Sequence, residues 1–190
     1  ATHIQGPDDT MDPIGTGTAT DYSRGRATYN SLIQLRDDLV PQPELAEEFS
    51  ANSDATEWSF KLRKDVTFHD GSKLTADDVV YSMNRHYGDD STSVVKSLVS
   101  GVTEWKKVGP YEVKAIVDSP YSDLAAVLGE KQFKIVKDGT TDFSLPTGTG
   151  PFKLESFQPG VRSSHVRNEN YWREGANVDS MEIFGITDPI

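Results

Sequence analysis

The stretch WSFKLRKDVTFHDGSKLTADDVVYS, residues 58–82, decides how the middle of this chain folds. Its first part places Trp58, Phe60 and Leu62 at every second position, with polar side chains between them. Successive side chains of a β-strand point to opposite faces, so this alternation predicts a strand with one buried face. The three apolar side chains are therefore expected in the protein core.

The second part of the stretch predicts a turn followed by a helix. Val66 and Phe68 resume the apolar alternation, and Asp70-Gly71 is a turn signal because glycine tolerates positive φ. Thr75 and Asp78 have the spacing of a capping box, which begins a helix. The whole stretch predicts a hairpin, a turn and a capped helix, and we interpret its residues as scaffold rather than as ligand contacts.

Apolar spacing and turn residues predict the remaining elements more coarsely. Short helices are expected at residues 28–35, 93–99 and 120–129, loops at residues 12–18 and 137–147, and an extended connector at Pro41 and Pro43. Strands are expected at residues 3–5, 105–117 (a hairpin turning at Gly109-Pro110), 133–136, 148–166 (a hairpin turning at Pro159-Gly160) and 181–186.

Length and charge limit the classes of function. The 190 residues are enough for one sizeable domain or two small ones, and their net charge is −11. This charge disfavours nucleic acid and anionic membrane surfaces as partners. The acidic surface is either simply solvated or a field that attracts cationic solutes. The sequence has no run of about 18 apolar residues and no opening signal peptide, so a mature form without a membrane span is expected.

Motifs for catalysis, metals and cofactors are missing from the sequence. There is no cysteine, so disulfides and thiolate metal sites are excluded. The four histidines lack metal-ligand spacing. Gly15-Thr16-Gly17 and Gly148-Thr149-Gly150 do not continue into a phosphate-binding motif, and paired acids such as Asp77-Asp78 are interpreted as surface and cap residues. We therefore expect neither an enzyme nor a bound metal or cofactor.

Several motifs in the right order carry a resemblance to a known family. They are Asp12-Pro13, LAEEF at residues 45–49, the stretch at residues 58–82, TGTGPFKL at residues 147–154 and RNENYW at residues 167–172. Together these segments resemble family 5 extracellular solute-binding proteins, the receptors of peptide, opine and nickel ABC importers. One such segment alone would be weak, whereas the ordered set covers most of residues 10–190.

The resemblance implies a mixed α/β fold similar to the type II periplasmic binding proteins. Family members are much longer and have two lobes with the ligand buried between them. The chain is therefore expected to be an N-terminal portion that stops before the second lobe. Residues 1–44 and 149–190 are expected to belong to the first lobe, and residues 45–148 to form an inserted α+β subdomain that carries the signature.

The resemblance also implies a function. Such a protein binds a small solute, expected here to be a di- or oligopeptide, and delivers it to the membrane subunits of an ABC permease. It works in the periplasm or at the outer cell surface and performs no chemistry. The alternatives are a periplasmic enzyme or a signalling module that reuses the receptor fold. The isolated portion is expected to associate with itself through exposed strand faces at Phe152, Leu154, Ile183 and Ile186.

Two loops are expected to face the ligand, Ile14 to Tyr22 and Ser91 to Ser93, and Phe133-Lys134 and Thr149-Gly150 are further candidates. The predicted ligand contacts within them are Ile14, Gly15, Thr16, Thr20, Asp21, Tyr22, Ser93, Lys134, Thr149 and Gly150. Lys134 is the candidate partner of an anionic group such as a peptide carboxylate. A plain loop without ligand contacts is the alternative at each position.

Overall fold

The computed structural model describes residues 9–185 and has a mixed α/β architecture. Its helices are α1 (Ala19–Thr28), α2 (Ala76–Asn84) and α3 (Leu124–Val127), with 3-10 turns at Pro13–Gly15 and Lys96–Val99. Its strands are β1 (Ile33–Leu35), β2 (Pro41–Pro43), β3 (Ala46–Ala51), β4 (Glu57–Leu62), β5 (Val102–Gly109), β6 (Glu112–Val117), β7 (Phe152–Gln158), β8 (Arg162–Arg167) and β9 (Ser180–Phe184). They pair as β1-β2, β3-β4-β6-β5 and β7-β8-β9, and each pair is antiparallel.

The four-stranded sheet holds the core predicted from the alternating residues. Trp58, Phe60 and Leu62 lie on β4 with 7%, 0% and 1% of their surface exposed, so the predicted strand and its buried face are confirmed. The ring centroid of Phe60 lies 5.7 Å from that of Trp105 on β5. Helix α2 packs on β5 and β6 and closes the buried face. On the opposite face Lys61 pairs with Glu48 at 2.5 Å and Lys114 pairs with Glu57 at 2.6 Å, so that face lies toward solvent.

Helix α2 begins where the capping box predicts. The backbone N–H and the hydroxyl of Thr75 donate to Asp78 Oδ2 at 2.7 and 3.0 Å. Asp78 Oδ1 accepts a further bond from the backbone N–H of Asp138 at 2.9 Å, which ties the polar loop to the helix. Gly71 adopts φ +87° in the turn before the helix, so the glycine is required there. Val66 is buried although it lies outside any strand.

Arg24 joins α1 to the three-stranded sheet. Its side chain is fully buried, and its Nη1 lies 2.5 Å from Asp9 Oδ2. Its Nε donates to Ser163 Oγ on β8 at 3.0 Å, and its guanidinium stacks 5.0 Å from the ring centroid of Phe157 on β7. Asp9 also accepts from the backbone N–H of Gly160 in the β7–β8 turn. These hydrogen bonds and the pairing of opposite charges offset the free-energy cost of removing the Arg24 and Asp9 charges from water.

The strand face at Phe152 and Leu154 is not free, contrary to the expectation. Each residue is only 8% exposed because α1 packs on β7 and covers it. Ile183 on β9 is half-buried, while Phe184 at the end of that strand is 52% exposed. Any self-association through this sheet stays a prediction and would use residues other than Phe152 and Leu154.

Helix α1 is the main departure from the predicted elements. Residues 20–22 were expected in a loop and lie in the helix, because Thr18 and Asp21 form a second capping box. The backbone N–H of Asp21 donates to Thr18 Oγ1 at 3.2 Å, and that of Thr18 donates to Asp21 Oδ2 at 3.0 Å. The loop was predicted because this part of the sequence is rich in glycine. One of these glycines, Gly25, nevertheless lies inside helix α1.

The helix predicted at residues 28–35 is wrong. Helix α1 ends at Thr28, and the chain continues extended into β1, where Ile33 pairs with Pro43 of β2. Tyr29, Leu32 and Ile33 are all buried, so their spacing reflects the core and not a helical face. The expected extended connector at Pro41 and Pro43 is confirmed as strand β2.

Three other predicted elements are shorter than expected. Residues 93–99 form only the 3-10 turn Lys96–Val99, because Val94 and Leu98 have no core to pack against and are 59% and 40% exposed. At residues 133–136 only Lys134 makes a β-bridge, with Ser31. Helix α3 begins at Leu124 and not at residue 120. The hairpin at residues 105–117 and the loop at residues 137–147 are confirmed, and the hairpin predicted at residues 148–166 forms with its first strand beginning at Phe152 rather than Gly148.

Two predicted features lie outside the described residues, namely the strand at residues 3–5 and Ile186. The division into residues 1–44, 45–148 and 149–190 stays a prediction. Among residues 9–185, no helix has the length and apolar character needed to cross a bilayer.

Replacing Trp58 tests the core of the four-stranded sheet. Trp58→Ala should lower the free energy of unfolding by about 3–5 kcal/mol, because it removes a large buried side chain whose Nε1 donates to the Tyr121 carbonyl at 3.0 Å. Urea unfolding followed by far-UV circular dichroism measures the change. Trp58→Phe is the control, since it keeps most of the apolar volume and should cost less. A loss below about 0.5 kcal/mol for Trp58→Ala would place this side chain at the surface.

Candidate functional site

A close backbone crossing lies at the centre of the candidate site. The segment Gly148 to Gly150 passes against the end of α1, and the backbone N–H of Gly150 donates to the Thr28 carbonyl at 2.9 Å. A Cβ atom at Gly148 would lie 1.9 Å from the oxygen of Thr28, and one at Gly150 would lie 2.4 Å from the oxygen of Ala27. No real side chain fits at such distances, so both positions require glycine.

His69, from the stretch at residues 58–82, holds this crossing in place through three hydrogen bonds. Its backbone N–H donates to the Gly148 carbonyl at 2.8 Å, and its Nδ1 accepts from the Gly148 N–H at 3.2 Å. Its Nε2 lies 3.0 Å from the Gly150 carbonyl, to which it donates. An imidazole that accepts at Nδ1 is neutral, and burial accordingly lowers the pKa of His69. His69 therefore stabilises the fold, in agreement with the interpretation of residues 58–82 as scaffold.

Thr149 belongs to a buried network of hydrogen bonds next to His69. Its hydroxyl donates to Asn30 Oδ1 at 3.0 Å, and Trp172 Nε1 donates to the same oxygen at 3.2 Å. The amide of Asn30 donates to Glu44 Oε1 at 2.9 Å, and the backbone N–H of Ser31 donates to Glu44 Oε2 at 2.8 Å. Thr149 is fully buried, so the structure places this predicted contact inside the scaffold.

Five of the predicted contacts come together on one surface, which we call the loop face. The loop face comprises residues 14–17, Tyr22, residues 91–95 and residues 131–132. The Ile14 carbonyl accepts from the Val94 N–H at 3.1 Å, and the Thr16 carbonyl accepts from Gln132 Nε2 at 3.1 Å. The structure thus brings Ile14, Gly15, Thr16, Tyr22 and Ser93 together, and whether they contact a ligand stays a prediction.

The accessible groups of the loop face are mainly backbone. Ile14 and Thr16 are buried, whereas Gly15 and Gly17 are exposed. The ammonium of Lys131 lies 4.2 Å from the ring centroid of half-buried Tyr22 and adds a positive charge at the rim.

Ser93 is held by a buried histidine. His86 Nδ1 lies 2.7 Å from Ser93 Oγ, and the His86 ring packs 4.6 Å from the ring centroid of Phe133. Burial, and to a smaller extent the charge of Arg85, lowers the pKa of His86 to about 4. Ser93 Oγ also lies within 3.3 Å of the Val95 N–H, which donates to it. These bonds fix the turn at residues 91–95 that forms one side of the loop face.

Thr20 and Asp21 lie apart from the accessible surface. Both are buried in the first turn of α1, where Asp21 Oδ2 accepts from the backbone N–H groups of Gly17 and Thr18 at 3.2 and 3.0 Å. Asp21 therefore holds the loop face in shape. Gly150 is likewise buried at the crossing.

A cavity of about 570 Å³ adjoins the loop face and shares Lys131 with it. We call it the cationic cavity. It is lined by Arg26, Tyr29, Asn30, Ser31, Ile33, Gln34, Leu35, Leu39, Glu44, Gly129, Glu130, Lys131, Lys134, Pro151, Tyr171 and Arg173. Half-buried Lys134 lies here, and burial lowers the pKa of its ammonium, opposed by the nearby charge of Glu44.

The sequence analysis did not predict several residues of the loop face and of the cationic cavity. Gln132 and Lys131 directly precede the predicted pair Phe133-Lys134, so their position next to a candidate segment was the available signal. No sequence pattern pointed to Arg26, Glu44 or Arg173 as neighbours, because the cavity that they line is formed by segments far apart in sequence. Among the described residues no group of three or more histidine, aspartate or glutamate side chains is arranged to hold a metal ion.

The fold of this chain is found in solved structures of longer proteins. It is shared with the PBP AgaA from A. tumefaciens R10, solved in complex with agropinic acid, at a TM-score of 0.87 and 23% identity. That match covers 99% of this chain and 40% of AgaA. The likeness shows that the two chains share a fold.

The family follows from the sequence matches. Residues 40–189 match the family model "Bacterial extracellular solute-binding proteins, family 5 Middle", so the chain belongs to this family. It is 24% identical to the glutathione-binding protein GsiB of Salmonella choleraesuis (strain SC-B67) over 94% of this chain and 36% of GsiB. It is 27% identical to the dipeptide-binding protein of Escherichia coli (strain K12) over 90% of this chain and 37% of that protein.

These matches confirm the resemblance noted in the sequence. The family is one of periplasmic and extracellular solute-binding proteins and not of enzymes. The chain spans well under half the length of these relatives.

The backbone crossing gives a test of its own. Gly148→Ala should lower the free energy of unfolding by about 3 kcal/mol or more, because its Cβ would overlap the Thr28 carbonyl and the backbone would have to move. Gly175→Ala is the matched control, since its Cβ meets no atom within 4 Å. Urea unfolding compares the two variants, and equal stabilities would contradict the close crossing.

The buried histidines predict how stability depends on pH. The pKa of His86 and that of His165 are each lowered from 6.5 to about 4, chiefly by burial. Below pH 6.5 the unfolded chain therefore takes up protons that the folded chain does not. Stability is fully present above pH 6.5 and is lost as the pH falls toward 4, by up to about 3 kcal/mol for each histidine at 1.36 kcal/mol per pKa unit.

The double variant His86→Asn, His165→Asn isolates this effect. Urea unfolding at intervals from pH 7 to pH 4 should show a clearly shallower decline for the variant than for the parent chain. Parallel declines would mean that the two imidazoles are as easily protonated in the folded as in the unfolded state.

Proposed function

We propose that this chain supplies one wall of the solute-binding cleft of an ABC-importer receptor, and that its solute is a di- or oligopeptide. The convergence of the predicted segments on the loop face is the observation that carries the proposal. In this reading the receptor works in the periplasm or at the outer cell surface and hands its solute to the permease subunits.

The chemistry of the loop face supports a peptide ligand. A peptide offers backbone donors and acceptors along its length, and an extended peptide is held best by backbone groups that face it. The carbonyl oxygens of exposed Gly15 and Gly17 accept no hydrogen bond from residues 9–185. They are therefore available to peptide N–H groups, and the ammonium of Lys131 at the rim is available to a carbonyl or carboxylate oxygen.

The predicted contacts divide into two groups under this proposal. Gly15, Tyr22 and Ser93 are the ones that would meet the solute, while buried Ile14 and Thr16 hold the loop that carries Gly15. Thr20, Asp21, Thr149 and Gly150 support it from within, since they are buried and hydrogen-bonded to neighbouring segments. Lys134 lies in the adjoining cationic cavity.

The arrangement of the sheets supports the proposed division of the chain. The sheet β3-β4-β6-β5 and α2 lie within residues 45–148, the proposed inserted subdomain. Helix α1 and the sheet β7-β8-β9 come from residues 1–44 and 149–190, the proposed portion of the first lobe, and Arg24 joins them. The proposed fold of these residues is accordingly part of a type II binding-protein fold.

The test is peptide binding to the chain and to a variant with a blocked loop face. Thermal shift over a dipeptide set, followed by calorimetry, should find a ligand that raises the melting temperature by mass action. Because only one wall is present, a dissociation constant in the millimolar range is expected, about −4 kcal/mol. Gly17→Gln should weaken that binding about tenfold or more, since its side chain occupies the face.

Gly175→Gln is the matched control for the blocking variant. Gly17 and Gly175 are both exposed, and a Cβ at either position meets no atom within 4 Å. Neither variant should lower the melting temperature of the free chain. Equal weakening by both variants, or peptide binding untouched by Gly17→Gln, would contradict a ligand on the loop face.

A further inference from the structure

The last residues of α2 hold both sides of the loop face. Arg85 Nη2 donates to Asp12 Oδ2 at 2.5 Å, and Asp12 Oδ1 accepts from the Ile14 N–H at 3.2 Å, which fixes the first 3-10 turn. On the other side, His86 Nδ1 lies 2.7 Å from Ser93 Oγ. One side is thus tied to α2 through a permanently charged guanidinium, and the other through an imidazole that can change its charge.

The second nitrogen of His86 has no partner. The side chain is 1% exposed, and within residues 9–185 its Nε2 is buried without a hydrogen bond. The ring centroid of Phe133 lies 4.6 Å from that of His86, so an aromatic ring packs beside the imidazole. In a protonated imidazole both nitrogens carry a hydrogen. Protonation in place would therefore leave a charged N–H buried and unpaired, which is more costly than a neutral nitrogen there.

No acidic group offsets such a charge at close range. The segments that contact His86 are residues 85–96 and 131–134, and their charged side chains are Arg85, Asp89, Asp90, Lys96, Lys131 and Lys134. Arg85 disfavours protonation because its charge has the same sign, and its own partner is Asp12. Asp89 and Asp90 are exposed. Among residues 9–185 no carboxylate forms an ion pair with His86.

The turn at residues 91–95 is attached to the fold by polar contacts more than by apolar burial. Val94 is 59% exposed, and its N–H donates to the Ile14 carbonyl at 3.1 Å. Ser91 Oγ donates to the Arg85 carbonyl at 2.7 Å. Gly88, with φ +84°, begins the loop that leads into the turn. Opening of this segment exposes little apolar surface, so it is less costly than unfolding the core.

We propose that His86 is a positioning residue of the loop face: its neutral form holds the turn at residues 91–95 closed, and its protonation releases that turn. The release does not depend on what the loop face binds. A consequence for the solute rests on the proposed function, since a solute on the loop face would lose one side of its site as the solution becomes acidic.

The direction of the effect follows from the two states of the turn. Burial, and to a smaller extent the charge of Arg85, lowers the pKa of His86 to about 4 while the turn is closed. In the open turn the imidazole is solvated and titrates near its ordinary pKa of 6.5. Between these values the open turn takes up a proton that the closed turn does not, so opening is favoured as the pH falls. The equilibrium constant for opening should rise about 20-fold from pH 7 to pH 5.

Amide hydrogen exchange on the ligand-free 190-residue chain measures this opening. The protection of the Val94 N–H, corrected for the intrinsic pH dependence of exchange, should fall about 20-fold from pH 7 to pH 5. The N–H of Phe60 on the central strand β4 should stay better protected at both pH values, because its exchange requires unfolding of the core. Equal protection of Val94 and Phe60 would mean that the turn does not open by itself, and would overturn the proposal.

Two histidine variants assign the response. His86→Asn removes the titrating ring, and the protection of Val94 should then be the same at pH 7 and pH 5. His165→Asn is the matched control, since His165 is also buried, its pKa is likewise lowered to about 4, and it lies on β8 next to Ser163. The control should keep the response at Val94. A response kept in both variants or lost in both would contradict a specific role of His86.

The parent chain gives a second reading that needs no variant. The ¹³Cε1 signal of His86 and the amide signal of Val94 should titrate together, with one midpoint below pH 6.5. A His86 ring that takes up its proton while the Val94 signal stays unchanged would show that the closed turn tolerates the charge.

Calorimetry with the dipeptide found for the loop face tests the consequence for the solute. Its affinity should fall from pH 7 to pH 5 for the parent chain and hold for His86→Asn, and the same pH dependence in both would overturn the link to the solute. No dipeptide binding together with a His86-dependent opening would contradict the proposed function and support the role of His86. Dipeptide binding together with a turn whose exchange is independent of pH would do the reverse.

Discussion

The contact between Gly148–Gly150 and the end of α1 is the constraint on which the rest of the structure depends. It joins three segments that are distant in sequence: the turn around Thr28, the signature residue His69 and the crossing itself. The backbones approach so closely that no Cβ fits between them. The position of α1, and with it one side of the loop face, is therefore set by a segment more than a hundred residues further along the chain.

Local patterns predicted much of the fold. A strand was predictable from the alternation of Trp58, Phe60 and Leu62, and a helix start from the spacing of Thr75 and Asp78. Both patterns lie within a few consecutive residues, so neither depends on distant parts of the chain. The prediction was wrong where a local pattern had two readings. Tyr29, Leu32 and Ile33 have helical spacing but are buried in extended backbone, because the surrounding core encloses them on several sides.

The candidate site was predictable only in part, for the same reason. The resemblance to the family named the segments at Ile14–Thr16 and Ser93, and the structure brings them together. It also named Thr149, whose hydroxyl is used inside the fold by Asn30. Sequence cannot distinguish an exposed from a buried polar residue within one loop. The cationic cavity was beyond prediction, because opposite charge on a concave surface is a property of three-dimensional proximity and not of order along the chain.

The buried arginine of α1 has a consequence for the solute recognition that we propose at the loop face. Arg24 is bound to Asp9 and Ser163 and stacked on Phe157, so the helix that follows the loop face is fastened to the sheet before any ligand arrives. A surface that is already rigid does not have to be ordered on binding. Under the proposed function, more of the interaction free energy would then remain for discrimination, and a solute with one misplaced polar group would be rejected rather than accommodated.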